Sequence, residues 1–202
     1  MRNENRAKRQ REIETAAYEL LEEKGYTGTS MLSVAKRAKA SNETLYRWYG
    51  DKKGLFKSLV DSNASEVKRL LENGDTTSHS PEETLKILGP KLLSLLVGKK
   101  AVTLNRTAAS DPTGELGQAL STSGRETIFP LITKVFSRLE AENPQSKARF
   151  SSVAETYLGL LVGDLQIRRV IGAIPELKQS EISERADNAH ATILRLLTDQ
   201  SQ

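Results

Sequence analysis

The sequence predicts an all-α protein of about nine helices. Apolar residues recur three and four positions apart, which places them on one face of a helix, and no segment alternates as a half-buried strand does. Serine, threonine or aspartate precedes several of these segments as an N-cap, and glycine or proline ends several of them. With 202 residues, the chain can bury the core of one large domain or of two small ones.

The composition excludes several classes of site. The chain has no cysteine, which excludes disulfides, thiolate metal sites and a cysteine nucleophile. His79 and His190 are its only histidines, too few for a histidine-rich metal site. No glycine-rich phosphate loop, G-x-S-x-G motif or metal-ligand spacing occurs. We therefore expect no enzyme, no metal site and no cofactor.

Neither a membrane span nor a secretory signal is expected. The longest apolar run, "LGLLVG" at residues 158–163, is too short to cross a bilayer. The N-terminal "MRNENRAKRQRE" is basic but lacks the apolar core of a signal peptide. A cytoplasmic protein without a membrane partner is the expectation.

Positive charge is concentrated at the start of the chain. Residues 1–53 hold 12 Lys/Arg against 8 Asp/Glu, whereas the remainder holds 18 of each. A basic excess confined to one segment is typical of a protein that binds a polyanion. The excess is modest, however, so a basic solvated tail explains the charge alone equally well.

Three short helices are predicted near the N-terminus. Apolar positions across residues 13–21 follow a helical period, and Gly25 supplies the stop. Thr29 or Ser30 caps a second helix, and Ser41 caps a third. Only three or four residues join the second and third helices, which is the plan of a helix-turn-helix.

The third helix, within "SNETLYRWYG" at residues 41–50, has two unlike sides. Its apolar side is predicted to pack on the first two helices through Leu45, Trp48 and Tyr49. Its polar side suits the major groove of DNA, where side chains near the N-terminus of a helix meet base edges. The polar side consists of Asn42, Glu43, Thr44, Tyr46 and Arg47.

A fourth helix is predicted to begin after Asp51, its N-cap, with Lys52 and Lys53 in the first turn. Lysines at a helix N-terminus suit a phosphate oxygen. The alternative is a small helical core whose polar and basic side chains are only solvated and bind no DNA. Charge, aromatic residues and spacing together favour DNA binding.

The first 60 or so residues resemble the DNA-binding domain of the TetR family of bacterial transcriptional regulators. The resemblance lies in "GYTGTSMLSVAKRAKASNETLYRWYGDKKGLF" at residues 25–56, which includes the "LYRWY" of the recognition helix and the lysine that opens helix 4. The family usually has glycine in the turn between helices 2 and 3, where this chain has Lys39 and Ala40. A non-glycine residue in a left-handed turn costs on the order of 1 kcal/mol. Lys39 in turn gains a chance to contact phosphate.

The resemblance implies roles for individual residues. Thr29, Tyr46 and Lys52 are expected to hold phosphates, whereas Asn42, Thr44 and Arg47 are expected to read bases. Glu43 either accepts a hydrogen bond from a cytosine amine or helps to cap its helix. The predicted DNA-binding residues are Thr29, Lys39, Ser41, Asn42, Thr44, Tyr46, Arg47 and Lys52.

Residues 1–52 are thus predicted to form a helix-turn-helix DNA-binding domain, and residues 53–202 a helical bundle for ligand binding and dimerisation. Ser80 and Glu83 form a capping box with proline at the first helical position. Gly89-Pro90 is expected to kink or split the helix that follows. Further helices are expected over about residues 100–110, 116–142 (either continuous or with a break), 145–171 and 181–197.

Part of the second domain has a narrower resemblance. "VAETYLGLLVGDLQIRRVIG" at residues 153–172, with "LNRTAASDPTGELGQAL" at residues 104–120, resembles the AefR-like C-terminal domain of some TetR-family repressors. This implies a two-helix dimerisation face and a ligand pocket inside the bundle. Gly159 and Gly163 have the spacing that lets helices approach closely, either across a dimer or within one subunit. The predicted interface residues are Gly159, Gly163, Ile167, Ile193 and Leu197.

A ligand pocket is predicted where the bundle is irregular. Gly89-Pro90 and "SDPTGELGQALSTSG" at residues 110–124 interrupt helices that could otherwise pack tightly. Ligand sites favour such gaps between helices. Each candidate lining residue also fits an ordinary core. The candidates are Leu92, Leu96, Phe129, Phe136 and Tyr157, with Arg106 or Asp164 as a polar anchor.

These features predict a homodimeric, ligand-responsive transcriptional regulator. By resemblance to the family, the protein is expected to be a repressor. It would bind a palindromic double-stranded operator and be released by a small apolar or amphipathic effector. One alternative is a constitutive DNA-binding regulator without a ligand. A helical enzyme has no candidate set of catalytic residues, and a helical adaptor would leave the polar side of the third helix unexplained.

Overall fold

The computed structural model describes residues 2–72, 79–142 and 153–198, and these residues form helices and no strand. With α7 (Glu115–Leu120), a π-helical turn (Ser121–Arg125) and α8 (Glu126–Glu142) counted as one helix, and α9 (Val153–Val162) with α10 (Leu165–Val170) as another, they form nine helices, which confirms the all-α prediction. None of the described helices is long and apolar enough to cross a membrane. The helices are α1 (Arg2–Gly28), α2 (Met31–Arg37), α3 (Asn42–Tyr49), α4 (Lys52–Glu72), α5 (Pro81–Val97), α6 (Lys99–Ala109), α7 (Glu115–Leu120), α8 (Glu126–Glu142), α9 (Val153–Val162), α10 (Leu165–Val170) and α11 (Gln179–Thr198).

The chain divides into two compact units. The first unit comprises residues 1–62 and 103–123, and the second comprises residues 63–102 and 124–202. Helices α4 and α6 therefore each contribute residues to both units. The domain boundary after residue 52 stays a prediction.

The first unit is built on a helix-turn-helix. Ile13 and Leu20 of α1 are fully buried with Leu45 of α3 and Phe56 of α4. Burying an apolar side chain of this size contributes about 1.5–3 kcal/mol. Residues of the chain beyond position 100 complete the same core, namely Leu104, Ala108 and Leu116.

Local signals end and start these helices as expected. Gly25 has φ 66° and ψ −177°, which interrupts helical geometry near the end of α1. Ser30, rather than Thr29, caps α2 in a capping box, and Ser41 caps α3. Asp51 accepts a hydrogen bond from the Gly54 amide at 2.7 Å at the start of α4. Each cap satisfies an amide that the first turn of a helix leaves without a partner.

The second unit has its own core around α5. This helix packs against α8 and α11, and α9 packs against α11. Phe136 and Tyr157, both fully buried, meet edge to face with ring centroids 5.5 Å apart. The predicted capping box is confirmed at the start of α5, where Ser80 and Glu83 each accept a hydrogen bond from the other's amide.

The Gly89-Pro90 step does not split α5, which continues from Pro81 to Val97 with Pro90 inside. A Cβ on Gly89 would lie 2.9 Å from the Tyr157 hydroxyl oxygen and 3.2 Å from the Ala186 Cβ. Glycine is therefore required here by close packing.

The helix expected over residues 145–171 is interrupted within the described residues. Residues 145–152 lie outside the described residues, and the remainder forms α9 and α10, separated at Gly163-Asp164. Gly163 has φ +50°, a left-handed conformation that ends α9. The Nε of Arg185, from α11, donates to the Leu161 carbonyl at 3.2 Å and so satisfies an acceptor that the helix end leaves free.

Candidate nucleic-acid interface

Helix α3 is held by one buried residue and two caps. Leu45 is 0% exposed, and Trp48 and Tyr49 are half-buried, so the predicted apolar side faces the core of the first unit. The Ser41 hydroxyl oxygen accepts from the Thr44 amide at 3.1 Å. Gly50, with φ 76°, ends the helix. The side chain of Ser41 thus fixes the start of α3, and its DNA contact stays a prediction.

The opposite side of α3 is free to meet another surface. Asn42, Glu43, Tyr46 and Arg47 are exposed, and Thr44 is half-buried. Tyr46 is 51% exposed, so its ring and hydroxyl can contact another surface. Arg47 and Glu43 lie 3.9 Å apart on neighbouring turns, a weak surface pair that a base edge can displace.

The turn between α2 and α3 has a lysine in the left-handed position where the family usually has glycine. Lys39 has φ 50°, the one positive φ at a non-glycine residue among the described residues. The Ala40 amide donates to the Ala35 carbonyl at 2.9 Å, and the Lys39 amide to Lys36 at 3.3 Å. These are the two bonds of a Schellman motif, whose left-handed position is usually glycine.

Replacing Lys39 by glycine should raise the free energy of unfolding by up to about 1 kcal/mol, because the left-handed conformation strains a residue with a Cβ. The greater freedom of glycine in the unfolded chain offsets part of this gain. Urea unfolding measures the change. As a control, Lys36→Gly removes an exposed lysine from the interior of α2 and should cost about 1 kcal/mol. A similar loss in both variants would contradict the prediction.

Helix α1 supports both ends of α3. The Arg9 Nη1 donates to the carbonyls of Ala38 and Lys39, at 3.3 and 3.4 Å, in the turn that precedes α3. The guanidinium of Arg6 lies 5.4 Å from the ring centre of Trp48, near the end of α3. Sequence reasoning missed both arginines, because the charge of residues 2–11 does not reveal which distant groups they contact.

Two predicted phosphate contacts are already engaged within the first unit. Thr29 is buried, and its hydroxyl donates to the Gly25 carbonyl at 2.8 Å. The ammonium of Lys52 donates to the Tyr26 carbonyl at 2.9 Å and lies 4.0 Å from the Tyr26 ring centre. Partial burial lowers the pKa of Lys52. Lys52 keeps two further protons for phosphate, whereas the proton of Thr29 is used.

Comparison with known proteins decides the family. Residues 13–59 match the family model for bacterial regulatory proteins of the tetR family. Residues 83–196, more than half of the chain, match the model for the C-terminal domain of AefR-like transcriptional repressors. The chain belongs to the TetR family. It is therefore a DNA-binding transcriptional regulator, and α3 is its recognition helix.

Relatives and solved structures agree with this family. The chain is 25% identical over 178 residues to the uncharacterized HTH-type transcriptional regulator YdeS of Bacillus subtilis (strain 168), covering 88% of this chain and 85% of YdeS. A putative TetR-family regulator from Mesorhizobium loti MAFF303099 superposes with a TM-score of 0.73 at 27% identity, covering 94% and 96% of the two chains. Bacillus subtilis FadR, solved in complex with stearoyl-CoA, shares the fold with a TM-score of 0.69 at 14% identity, covering 92% and 97%.

The predicted ligand-binding residues are not all brought together. Leu92, Phe136 and Tyr157 are buried in the core of the second unit, and Leu96 and Phe129 pack half-buried against it. Burial raises the pKa of the Tyr157 phenol, whose hydroxyl donates to the Leu85 carbonyl at 3.4 Å. Of the two predicted polar anchors, Asp164 is exposed, with its carboxylate 3.8 Å from the Arg168 guanidinium, and Arg106 is a residue of the first unit.

Some of the predicted interface residues are exposed and others are buried. Gly159 is exposed, and a Cβ there would have no atom within 4 Å. Ile167 is 56% exposed, Leu197 is half-buried, and Ile193 is 1% exposed. The Ile193 side chain is thus covered by its own unit rather than by a partner, which corrects that choice. Sequence reasoning missed Ile171 and Leu196, which are large exposed apolar residues of the same region.

Proposed function

We propose that this TetR-family regulator is a ligand-responsive repressor, which binds a palindromic operator as a homodimer in the cytoplasm and leaves it when a small apolar or amphipathic molecule binds the second unit. The observation that carries the proposal is the shared membership of α4 and α6 in both units. Within the first unit, α6 and α7 add Leu104 and Leu116 to the core of the DNA-binding helices. A rearrangement of the second unit would therefore act on the helices that support α3.

The proposed effector class follows from the side chains of the second unit. The core residues Leu92, Phe136 and Tyr157, with Leu96 and Phe129 beside them, would surround a ligand with apolar and aromatic groups. The fold accommodates such a ligand in Bacillus subtilis FadR, which was solved with stearoyl-CoA; at 14% identity that likeness concerns the fold alone. Asp164, an exposed carboxylate of the second unit, is the polar anchor proposed for such a ligand.

Operator titration with a ligand panel tests this proposal. A true effector should raise the melting temperature and weaken operator binding by about 5–150-fold, the usual range of allosteric coupling. The panel should include fatty acyl chains of several lengths and planar aromatic acids. If no compound stabilises the protein or weakens DNA binding, the constitutive regulator without a ligand is the better description.

Arg47 is proposed to read a base, and Lys52 to hold a phosphate. Arg47→Ala should cost about 1–3 kcal/mol of operator binding and relax base preference, because a guanidinium recognises guanine through two hydrogen bonds. Lys52→Ala should weaken operator and scrambled duplex alike and reduce the salt dependence by about one ion. Fluorescence titrations on both duplexes decide between the roles. Equal losses on the two duplexes for Arg47→Ala would make Arg47 a backbone contact.

Dimerisation is proposed through α9, α10 and α11. Exposed apolar side chains of this region would be removed from water across a symmetric interface, and they are Ile167 of α10, Ile171 directly after α10 and Leu196 of α11. Gly159 adds a flat, open position on α9. Two recognition helices engage two half-sites only when such an interface fixes their separation.

Gly159→Leu should dissociate the proposed dimer, because the new side chain has free space within its own chain but not in a close interface. Gly117→Leu is the matched control, since a Cβ at Gly117 of α7 also has no atom within 4 Å. Gly163 is unsuited, because its φ of +50° strains any side chain. Sedimentation velocity at several concentrations measures the change. A Gly159→Leu dimer as stable as that of the control would move the interface elsewhere.

A further inference from the structure

A shallow basic cleft lies beside the helix-turn-helix, within the first unit. It has a volume of about 640 Å³ and lies between α1 and the turn that joins α2 to α3. Glu12 and Glu19 are its two acidic lining residues, and half of the lining is basic, namely Lys8, Arg9, Arg11, Arg37 and Lys39. Such a concentration of positive charge favours an anionic partner.

Two of these cations are already neutralised. Arg9 pairs with Glu12 at 2.9 Å. Arg37 pairs with Glu19 at 3.1 Å and with Glu23 at 2.8 Å, which ties α2 to α1. These two arginines thus stabilise the first unit. The net positive charge of the cleft comes from the other three cations.

Lys8, Arg11 and Lys39 are exposed, and none of them has an acidic partner within the described part of the chain. Cations around one cleft disfavour one another weakly in water, and an anion bound between them would remove this repulsion. Lys39 also occupies its strained left-handed position, where glycine would be more stable. The arrangement is therefore better explained by binding than by stability.

The cleft has a fixed relation to the recognition helix. Arg9, which lines it, donates to the carbonyls of Ala38 and Lys39, two and three residues before Ser41, the N-cap of α3. A recognition helix enters the major groove by its N-terminus, and the phosphates of the two strands flank that groove. Cations beside the start of α3 consequently lie next to a DNA backbone.

We propose that Lys8, Arg11 and Lys39 bind phosphates of the duplex that α3 reads, with the cleft following one strand. Lys8 and Arg11 lie before residue 13, where the match to the DNA-binding family model begins, so they extend the DNA-binding surface beyond that domain. The proposal rests on the DNA-binding activity of the family and is independent of the effector, of repression and of the dimer interface.

The test is a salt titration of the full chain with Lys8→Gln and Arg11→Gln combined. The control combines Lys86→Gln with Lys134→Gln, two exposed lysines of the second unit that make the same change in charge. Binding of the selected operator and of a scrambled duplex is measured at several salt concentrations. We expect the cleft variant to bind both duplexes about tenfold or more weakly, and the slope of log affinity against log salt to fall by about 0.9 for each phosphate that the variant no longer neutralises. Adding Lys39→Gln should lower the slope again.

Three outcomes would overturn the proposal. The first is a slope and an affinity equal to those of the control. The second is a loss confined to the operator with an unchanged slope, since it would mean base reading. The third is a lowered melting temperature accounting for the loss, which the thermal midpoint of each variant reveals. If the wild-type chain selected no operator, the proposed repressor function would fail, but the scrambled duplex would still decide the role of the cleft.

Discussion

Replacing Leu45 by alanine is expected to lower the free energy of unfolding by about 2–5 kcal/mol and to abolish operator binding at moderate protein concentration. Leu45 is 0% exposed and is the one residue of α3 that is fully buried, so it carries the attachment of the recognition helix. Truncation leaves a cavity beneath α3 that the surrounding helices fill only in part. Urea unfolding and DNA titration measure the two effects.

Leu32→Ala is the matched control for that prediction. Leu32 lies in the neighbouring helix α2 and is 51% exposed, so the same chemical change should alter stability by about 0.5 kcal/mol or less. Similar losses from the two substitutions would show that α3 is not held by its buried side. A stable Leu45→Ala protein with normal DNA binding would contradict the assignment of α3 as the recognition helix.

Phe136→Ala is expected to lower the free energy of unfolding by about 3–5 kcal/mol, with or without an effector. Phe136 is 0% exposed in the second unit and meets Tyr157 edge to face, an arrangement that adds to the stabilisation from burial alone. Phe129→Ala is the control, because Phe129 is only half-buried. The centre of its ring lies 4.9 Å from the guanidinium carbon of Arg125. This substitution should cost less than Phe136→Ala.

The same pair of variants separates core from ligand pocket. Substituting a core residue lowers stability strongly and alters the effector response only because stability falls. Substituting a residue that lines a pocket alters the effector response more than the stability. If Phe136→Ala cost less than about 1 kcal/mol while effector release was abolished, Phe136 would line a pocket in solution. Thermal unfolding with increasing effector distinguishes the two results.

Much of the first unit was predictable from the sequence because its signals are local. The stop at Gly25, the caps Ser41 and Asp51 and the apolar side of α3 each depend on residues within a few positions of one another. A left-handed residue in the turn was expected from the resemblance, because the family usually has glycine where this chain has Lys39 and Ala40, and the structure places it at Lys39. What the sequence could not show was the use of Thr29, since its hydroxyl proton goes to a carbonyl four residues earlier rather than outward.

The second unit was predicted less well because its decisive contacts are distant in sequence. Apolar periodicity runs through Gly163 without a break, and only the Arg185 side chain, 22 residues later, satisfies the carbonyl at the end of α9. Ile193 was predicted for the interface and Leu196 was not, yet Ile193 is buried and Leu196 is 47% exposed.

The sequence by itself determined the helical class, the helix-turn-helix, its polar reading side and the basic excess of residues 1–53. The tertiary structure decided which apolar side chains face the core, where α9 ends, and that Lys8, Arg11 and Lys39 share one cleft. The physical reason is the range of the forces involved. Caps, turns and helical periods act over a few residues, whereas burial and charge depend on every helix that packs nearby.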